Sequence, residues 1–131
     1  MFSIFSKKKP KVLIVDDDGF MRTVISSYIP KDIFDVVVAK DGEEGLKIAE
    51  SESPSIILLD ANMPNKDGWE TLVDLKNNKK TNSIPVLMCT AVDDVNSLDR
   101  AFLAGAQGYI TKPVNKDLLL KKIKKTLNME E

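Results

Sequence analysis

Four groups of polar side chains follow short apolar runs of the sequence, and their types suit cation binding or group transfer. They are the acids Asp16, Asp17 and Asp18, the acid Asp60, the hydroxyl of Thr90 and the amine of Lys112. Carboxylates a few ångströms apart repel one another and cannot all ionise cheaply unless a cation lies among them. Since the available ligands are oxygens, the predicted cation is Mg²⁺, which keeps several of its waters.

A carboxylate beside Mg²⁺, a lysine and a hydroxyl form an arrangement suited to accepting a phosphoryl group. The metal and the lysine neutralise the equatorial oxygens while the carboxylate attacks in line. Taken alone, each residue is more often a helix cap, a turn residue or a surface lysine. Four of five predicted strands end in complementary groups, however, and this coincidence favours a site.

The composition of the 131-residue chain excludes several other chemistries. Without histidine there can be no Ser-His-Asp triad, Cys-His pair or histidine-based zinc site. Cys89 is the only cysteine, which excludes an intrachain disulfide and favours a reducing compartment. No apolar run approaches the roughly 20 residues of a membrane span, and no secretory signal is recognisable. We therefore expect one globular domain in the cytoplasm.

Charge is segregated along the chain, although the net charge is only −1. Residues 1–11 carry +4 and residues 112–125 carry +5, whereas the sequence between them carries −8. The C-terminal lysines alternate with apolar residues at helical spacing, and no aromatic residues lie among them to stack on bases. We interpret them as a solvated helix face and expect no direct contact with nucleic acid.

Five apolar, β-branched runs alternate with segments of helical periodicity. The runs are Val12–Val15, Phe34–Ala39, Ile56–Leu59, Pro85–Thr90 and Gly108–Thr111. Strands that alternate with helices indicate βαβ units, and near-continuous apolar runs are typical of parallel strands buried on both faces. Right-handed crossovers then favour an α/β fold, a doubly wound (βα)₅ parallel sheet. In such a sheet ligands bind outside the carboxyl ends of the strands, where the polar groups stand.

Apolar stripes and capping residues predict the helices. Asp41 and Asn115 are candidate N-caps of the second and fifth helices, and Asp93 or Asp94 of the fourth. Asp18 either supports the metal ligands or caps the first helix. The stripes expected to be buried include Phe20 in the first helix, Val73 in the third, Phe102 in the fourth and Leu118 in the fifth.

At these residues the sequence resembles the receiver domains of two-component response regulators, especially the single-domain chemotaxis regulator. The similar stretches are VLIVDDD, SIILLDANMP, DGW, PVLMCTA and AGAQGYITKP, within residues 11–127. The resemblance implies a flavodoxin-like sheet with strand order 2-1-3-4-5. It also implies a receiver domain over residues 11–128, a flexible N-terminal extension over residues 1–10 and a tail over residues 129–131.

The resemblance implies specific roles for the acidic residues. Asp60 is the expected phosphoacceptor. Asp16, Asp17 and Asp60 are expected to hold Mg²⁺ together with the backbone carbonyl of Asn62. Asn62 and Val92 occupy positions that tune loss of the phosphoryl group, and the apolar Val92 predicts a long-lived aspartyl phosphate because it cannot orient water.

The remaining implied roles concern the response to phosphorylation. Thr90 is expected to hydrogen-bond the phosphoryl oxygen and Lys112 to ion-pair with it, and the Lys112–Pro113 peptide is expected to be cis. Thr90 and Tyr109 are the expected switch residues. Their movement would change the surface formed by the fourth predicted helix, the fifth strand and the fifth helix.

The implied function is that of a signalling phosphoacceptor. Its phosphoryl donor would be a phosphohistidine on a histidine kinase or a histidine phosphotransfer protein, and a downstream protein would bind the switched surface. The chain would catalyse only its own phosphorylation and dephosphorylation, so it would not be an enzyme in the usual sense. It would be a monomer or a phosphorylation-dependent dimer.

Three other functions stay open on the sequence. The chain could be a receiver used only for docking or dimerisation, without phosphorylation. Asp16–Gly19 also fits the DxDG opening of haloacid-dehalogenase-type phosphatases with Asp16 as nucleophile, but the later paired acidic motif is missing and Asp60 stays unexplained. A flavin-binding module is disfavoured because no Ser/Thr-Gly-rich loop follows the first strand, and three acids would repel the flavin phosphate.

Overall fold

The computed structural model describes residues 8–91, 102 and 104–129. The strands are β1 (Lys11–Val15), β2 (Asp35–Ala39), β3 (Ile56–Asp60), β4 (Val86–Ala91) and β5 (Gly108–Lys112). The helices are α1 (Gly19–Tyr28), α2 (Gly42–Glu52), α3 (Gly68–Lys76) and α4 (Lys116–Thr126), the last being the fifth predicted helix. Each strand agrees with its predicted run to within one residue at either end. Of the fourth predicted helix the structure describes Phe102, whereas the candidate caps Asp93 and Asp94 lie outside the described residues.

The five strands form one parallel sheet in the order β2-β1-β3-β4-β5. This confirms the predicted flavodoxin-like topology. The register pairs Val15 with Leu59 at the ends of β1 and β3. It pairs Asp60 with Cys89 and Ala91 with Lys112 farther along the same edge. The carboxyl ends of all the central strands therefore meet at one edge of the sheet.

Side chains on both faces of the sheet are buried, which explains why the strands are almost continuously apolar. On one face the core includes Val12, Ile14, Ile25 and Ile29 together with Leu119 and Ile123 of α4. On the other it includes Leu13, Val15, Ala49, Leu59, Leu72 and Leu75. Alternate residues of β1 thus enter opposite cores, with α1 and α4 on one side and α2 and α3 on the other.

Polar caps begin the helices where the chain leaves the sheet. The Asp18 side chain accepts hydrogen bonds from the first turn of α1, so Asp18 is a helix cap. Asp41 and Asn115 cap α2 and α4, which confirms both predicted N-caps. Asp67 caps α3 in a capping box with Glu70. Such caps each contribute about 1 kcal/mol and fix the points at which the site loops end.

The prediction of buried stripes was wrong for four apolar residues. Phe20 is 74% exposed, and Leu118, Val73 and Phe102 are also exposed. Phe20 and Leu118 lie in the first turn of their helices, ahead of the positions at which Ile25 and Leu119 enter the core. At these two positions the predicted stripe extends ahead of the first buried residue of the helix.

No helix within the described residues is long and apolar enough to cross a lipid bilayer.

Candidate functional site

Three carboxylates converge at the carboxyl edge of the sheet. Asp16 follows β1 and Asp60 ends β3, the strand beside it, and both are almost fully buried at 2% and 3% exposure. Asp17 points to solvent next to them. One carboxylate oxygen of each residue lies within 4.8 Å of the other two. The predicted cluster of Asp16, Asp17 and Asp60 is therefore present.

Each buried carboxylate is held by directed hydrogen bonds. The backbone N–H of Asp18 donates to Asp16 Oδ1 at 2.9 Å. Lys112 Nζ donates to Asp60 Oδ1 at 2.8 Å, and the backbone N–H of Asn62 donates to the same oxygen at 3.2 Å. Within the described residues, the buried Asp16 Oδ2 has no partner. One oxygen of Asp16 thus keeps its capacity to bind a ligand.

Burial is the largest influence on the pKa values of the two buried acids, Asp16 and Asp60. It raises the pKa of Asp60, and the hydrogen bond and charge of Lys112 offset this rise only in part. It also raises the pKa of Asp16, with the N–H of Asp18 acting in the opposite direction. Burial lowers the pKa of Lys112, but the hydrogen bond to Asp60 and the negative charges of Asp60 and Asp16 together outweigh it, and the net pKa is raised. The lysine therefore stays protonated beside two acids whose negative charge is costly.

Strands β4 and β5 bring the hydroxyl and the amine to the same edge. Thr90 is 1% exposed and follows Cys89, the residue that pairs with Asp60. Its Oγ1 is buried and has no hydrogen-bond partner within the described part of the chain. Lys112 ends β5, and its peptide bond to Pro113 is cis, as predicted.

The loop after Asp60 is closed by a glycine that no other residue could replace without movement. The Gly68 N–H donates to the carbonyl of Ala61 at 3.0 Å. A Cβ built at Gly68 would lie 2.1 Å from the carbonyl oxygen of Asp60 and 2.7 Å from the Cα of Ala61. Because both contacts are to backbone, neither can be relieved by a side-chain rotation. The start of α3 therefore fixes the backbone that carries Asp60.

The donor set of this edge suits a hard divalent cation. Such cations prefer carboxylate and carbonyl oxygens, and three carboxylates meet here. The partnerless Asp16 Oδ2 is a buried acceptor that a cation would satisfy. The residues present therefore fit the predicted Mg²⁺.

Comparison with known proteins places this site in a family. The sequence matches the response regulator receiver domain over residues 12–124. The chain belongs to this family. As a receiver domain it is similar to the chemotaxis protein CheY of Bacillus subtilis, with 35% identity over 90% of this chain and 98% of CheY. The chain is therefore a receiver domain of the two-component response regulator type.

Other relatives are longer than this receiver domain. The transcriptional regulatory protein PhoP of Bacillus subtilis is 36% identical over 92% of this chain, but only 50% of PhoP is covered. The chain spans about half the length of the first curated relatives it matches. The solved structure of CheY4 from Vibrio cholerae is similar with a TM-score of 0.85 and 30% identity, over 92% of this chain and 100% of CheY4. The solved structure of a response regulator receiver domain protein from Methanospirillum hungatei is similar with a TM-score of 0.84 and 30% identity, over 92% of this chain and 95% of that protein.

The predicted switch residue Tyr109 lies apart from the carboxylates of the receiver. It is half-buried near the start of β5, three residues before Lys112. Its ring meets that of Phe102 edge-on, with 6.3 Å between centroids. Lys122 Nζ lies 4.6 Å from the centre of the Tyr109 ring and donates to the Tyr109 carbonyl at 2.5 Å. The tyrosine therefore belongs to a surface patch that joins β5 to α4.

Two further residues, Asn62 and Val92, were predicted to belong to the receiver site. Asn62 is exposed, and its described contact with Asp60 is made through its N–H. The metal contact predicted for its carbonyl stays a prediction. Val92 lies outside the described residues.

The contacts that the sequence did not predict include two made by long side chains. One is made by Lys122 at Tyr109, and the other by Arg22, which donates to the carbonyl of Asp16. Both depend on long side chains that reach backbone oxygens of another element or turn, and residue spacing alone gives little signal of such contacts.

Proposed function

We propose that this receiver domain accepts a phosphoryl group on Asp60 from a phosphohistidine of a partner histidine kinase or histidine phosphotransfer protein. The observation that carries the proposal is the buried Asp60 carboxylate, bonded to Lys112 at 2.8 Å and close to two further acids. These 131 residues contain no histidine, so the donor histidine lies outside them. The family membership supports the same reading.

The hydrogen bonds at Asp60 suggest how transfer proceeds. Oδ1 accepts bonds from Lys112 and from the N–H of Asn62, which leaves Oδ2 as the proposed nucleophile. As Oδ2 forms a bond to phosphorus, the bond from phosphorus to the donor imidazole nitrogen breaks, and the imidazole leaves with the electron pair. Lys112 stays protonated and offsets the charge of the transferring oxygens. The Thr90 hydroxyl donates to one of those oxygens.

Asp16, Asp17, Asp60 and the carbonyl of Asn62 are the residues that would hold Mg²⁺. When bound, the metal supplies positive charge that offsets the clustered carboxylates and the phosphoryl oxygens. The chain's own contribution is the rigid placement of these ligands by β1 and β3.

Further aspects of the proposal follow the family. Thr90 and Tyr109 act as the switch, and a downstream protein binds the surface that includes β5 and α4. Asn62 and Val92 tune loss of the phosphoryl group. The unit is the receiver over residues 11–128, a cytoplasmic monomer or phosphorylation-dependent dimer that catalyses only its own phosphorylation and dephosphorylation.

Intact-mass measurement after incubation with acetyl phosphate tests the phosphoacceptor directly. Wild type and Asp60→Asn are compared with and without Mg²⁺, with acid quenching at short times so that a labile adduct is retained. Asp117→Asn, which removes an exposed acid from the first turn of α4, is the matched control. We expect a Mg²⁺-dependent gain of one phosphoryl group in wild type and in the control, and none in Asp60→Asn.

Two results would contradict this proposal in different ways. A wild type that never gains a phosphoryl group, even in the earliest quenched sample, would favour a receiver used only for docking or dimerisation. An adduct that survives in Asp60→Asn and disappears in Asp16→Asn would favour the phosphatase-like chemistry with Asp16 as nucleophile.

A further inference from the structure

Arg22 extends from α1 back onto the turn that carries the acids after β1. Its Nη1 donates to the backbone carbonyl of Asp16 at 2.7 Å in a part-buried contact. Its Nη2 lies 3.3 Å from the point that a Cβ would occupy at Gly19. The absence of a side chain at residue 19 leaves room for the guanidinium group against the turn.

This contact completes a three-point attachment of Asp16. The backbone N–H of Asp16 donates to the carbonyl of Ala39 at 3.1 Å, and its Oδ1 accepts from Asp18 N–H at 2.9 Å. The carbonyl held by Arg22 belongs to the planar peptide group that joins Asp16 to Asp17. Fixing that plane fixes the direction in which the chain leaves Asp16 and therefore where the Asp17 side chain begins.

We propose that Arg22 is a positioning residue for the cation site: its hydrogen bond to the Asp16 carbonyl holds Asp16 and Asp17 in the arrangement that binds Mg²⁺. The inference rests on the proposed function, because it concerns the affinity of the same site. Arg22 contacts neither the phosphoryl group nor the cation in this scheme. It acts through the peptide that carries two of the ligands.

The charge of Arg22 and its hydrogen bond have opposite consequences for cation affinity. A guanidinium close to the site repels a divalent cation, so a role of charge alone predicts tighter Mg²⁺ binding after its removal. Loss of a group that orients metal ligands weakens binding, typically about 10- to 100-fold. Whether Mg²⁺ affinity falls or rises when Arg22 is replaced therefore distinguishes a positioning role from a purely electrostatic one, whatever the size of the change.

The test measures Mg²⁺ affinity through its effect on thermal unfolding, which needs no phosphorylation. The Tm of wild type, Arg22→Met, Arg22→Lys and Thr23→Ala is followed as MgCl₂ is increased, and each variant is compared with itself without metal. Thr23→Ala is the matched control because Thr23 is exposed on the same helix and its hydroxyl contacts only the Gly19 carbonyl among the bonds described. Calorimetric titration with MgCl₂ gives an independent Kd.

We expect a Kd for Mg²⁺ about tenfold weaker in Arg22→Met, unchanged in Thr23→Ala and intermediate in Arg22→Lys, which keeps a donor on a shorter side chain. Unchanged or tighter binding in Arg22→Met would overturn the proposal while leaving the proposed function intact. A wild type whose Tm and calorimetric signal ignore Mg²⁺ would instead overturn the metal site itself, and the role of Arg22 with it. Should Arg22→Met fail to fold, Arg22→Lys decides: weaker binding supports positioning, and wild-type binding overturns it.

Discussion

Two regions of this receiver domain are held by opposite kinds of interaction. The carboxylate pocket consists of Asp16, Asp17, Asp60, Thr90 and Lys112. The tyrosine patch consists of Phe102, Tyr109 and Lys122. The pocket contains buried acids and two buried oxygens without partners in the described structure, whereas the patch pairs a half-buried ring with a cation and another ring.

The two regions differ in how much each contributes to the free energy of folding. Buried charge and unpaired oxygens make the pocket unfavourable by itself, and binding of a cation or a phosphoryl group relieves that cost. Each contact of the patch contributes about 1 kcal/mol or less, so other arrangements of its side chains differ little from this one in free energy. We therefore expect substitutions around the pocket to have large effects on stability and substitutions in the patch to have small ones.

Gly68→Ala should have the largest effect, because it breaks the backbone support of the pocket. The new Cβ would lie 2.1 Å from the Asp60 carbonyl, so α3 or the end of β3 must shift. We expect a loss of about 3 kcal/mol in the free energy of unfolding, the upper part of the usual range for an overpacked site. Urea denaturation measures it.

Gly108→Ala is the matched control for this substitution. A Cβ at Gly108 would lie 3.3 Å from a methyl group of Leu87, which can move by a few tenths of an ångström. Its cost should be well below that of Gly68→Ala. Equal costs at the two positions would mean that the backbone at Asp60 is not tightly supported.

Asp60→Asn should stabilise the metal-free protein, because it removes a buried charge from among like charges. We expect the free energy of unfolding to rise by roughly 1 kcal/mol at pH 7, because the neutral amide places no charge among the neighbouring carboxylates. Urea denaturation in the presence of a chelator measures it, and added MgCl₂ should reduce the gain by stabilising wild type.

The gain in Asp60→Asn should also depend on pH with a defined sign. Burial raises the pKa of Asp60 above its ordinary value of 3.8, so the folded state binds this proton more tightly than the unfolded state. The cost of the charged carboxyl is therefore present above the folded pKa and disappears as the pH falls below 3.8. A difference between variant and wild type that grew on acidification would contradict the assigned direction.

How far the sequence predicts this molecule depends on the type of contact. The strands were predictable because burial on both faces leaves almost no polar residue in β1, β3 or β4. The proximity of Asp16 and Asp60 could also be predicted, because the carboxyl ends of neighbouring parallel strands lie at the same edge of the sheet. These are consequences of topology and need no side-chain detail.

Other features depend on local geometry that spacing does not encode. Asp18 is adjacent to two site residues, yet it serves as a helix cap because its backbone follows the turn into α1. Phe20 belongs to the same predicted stripe as the buried Ile25, but it lies one residue after the start of α1 and is exposed. Arg22 reaches a backbone carbonyl, and any residue type in the turn would offer one. Predicting these contacts requires the path of the turn itself.

Lys122→Gln should change the free energy of unfolding least, and it tests how weakly the tyrosine patch is held. It removes the cation above the Tyr109 ring and the ammonium bonded to the Tyr109 carbonyl. Because the lysine is only half-buried, we expect a loss of about 0.5 to 1 kcal/mol in the free energy of unfolding. Lys121→Gln, on the exposed side of α4, is the control and should change stability by less.

A double-mutant cycle with Tyr109→Leu separates the two contacts of Lys122. Leucine at position 109 keeps the backbone carbonyl but has no aromatic face, so the coupling free energy between the two substitutions reports the ring contact alone. We expect a coupling of about 0.5 kcal/mol. A coupling of several kcal/mol would mean that the tyrosine patch is as strongly held as the carboxylate pocket. A switch based on Tyr109 would then need far more free energy than these surface contacts imply.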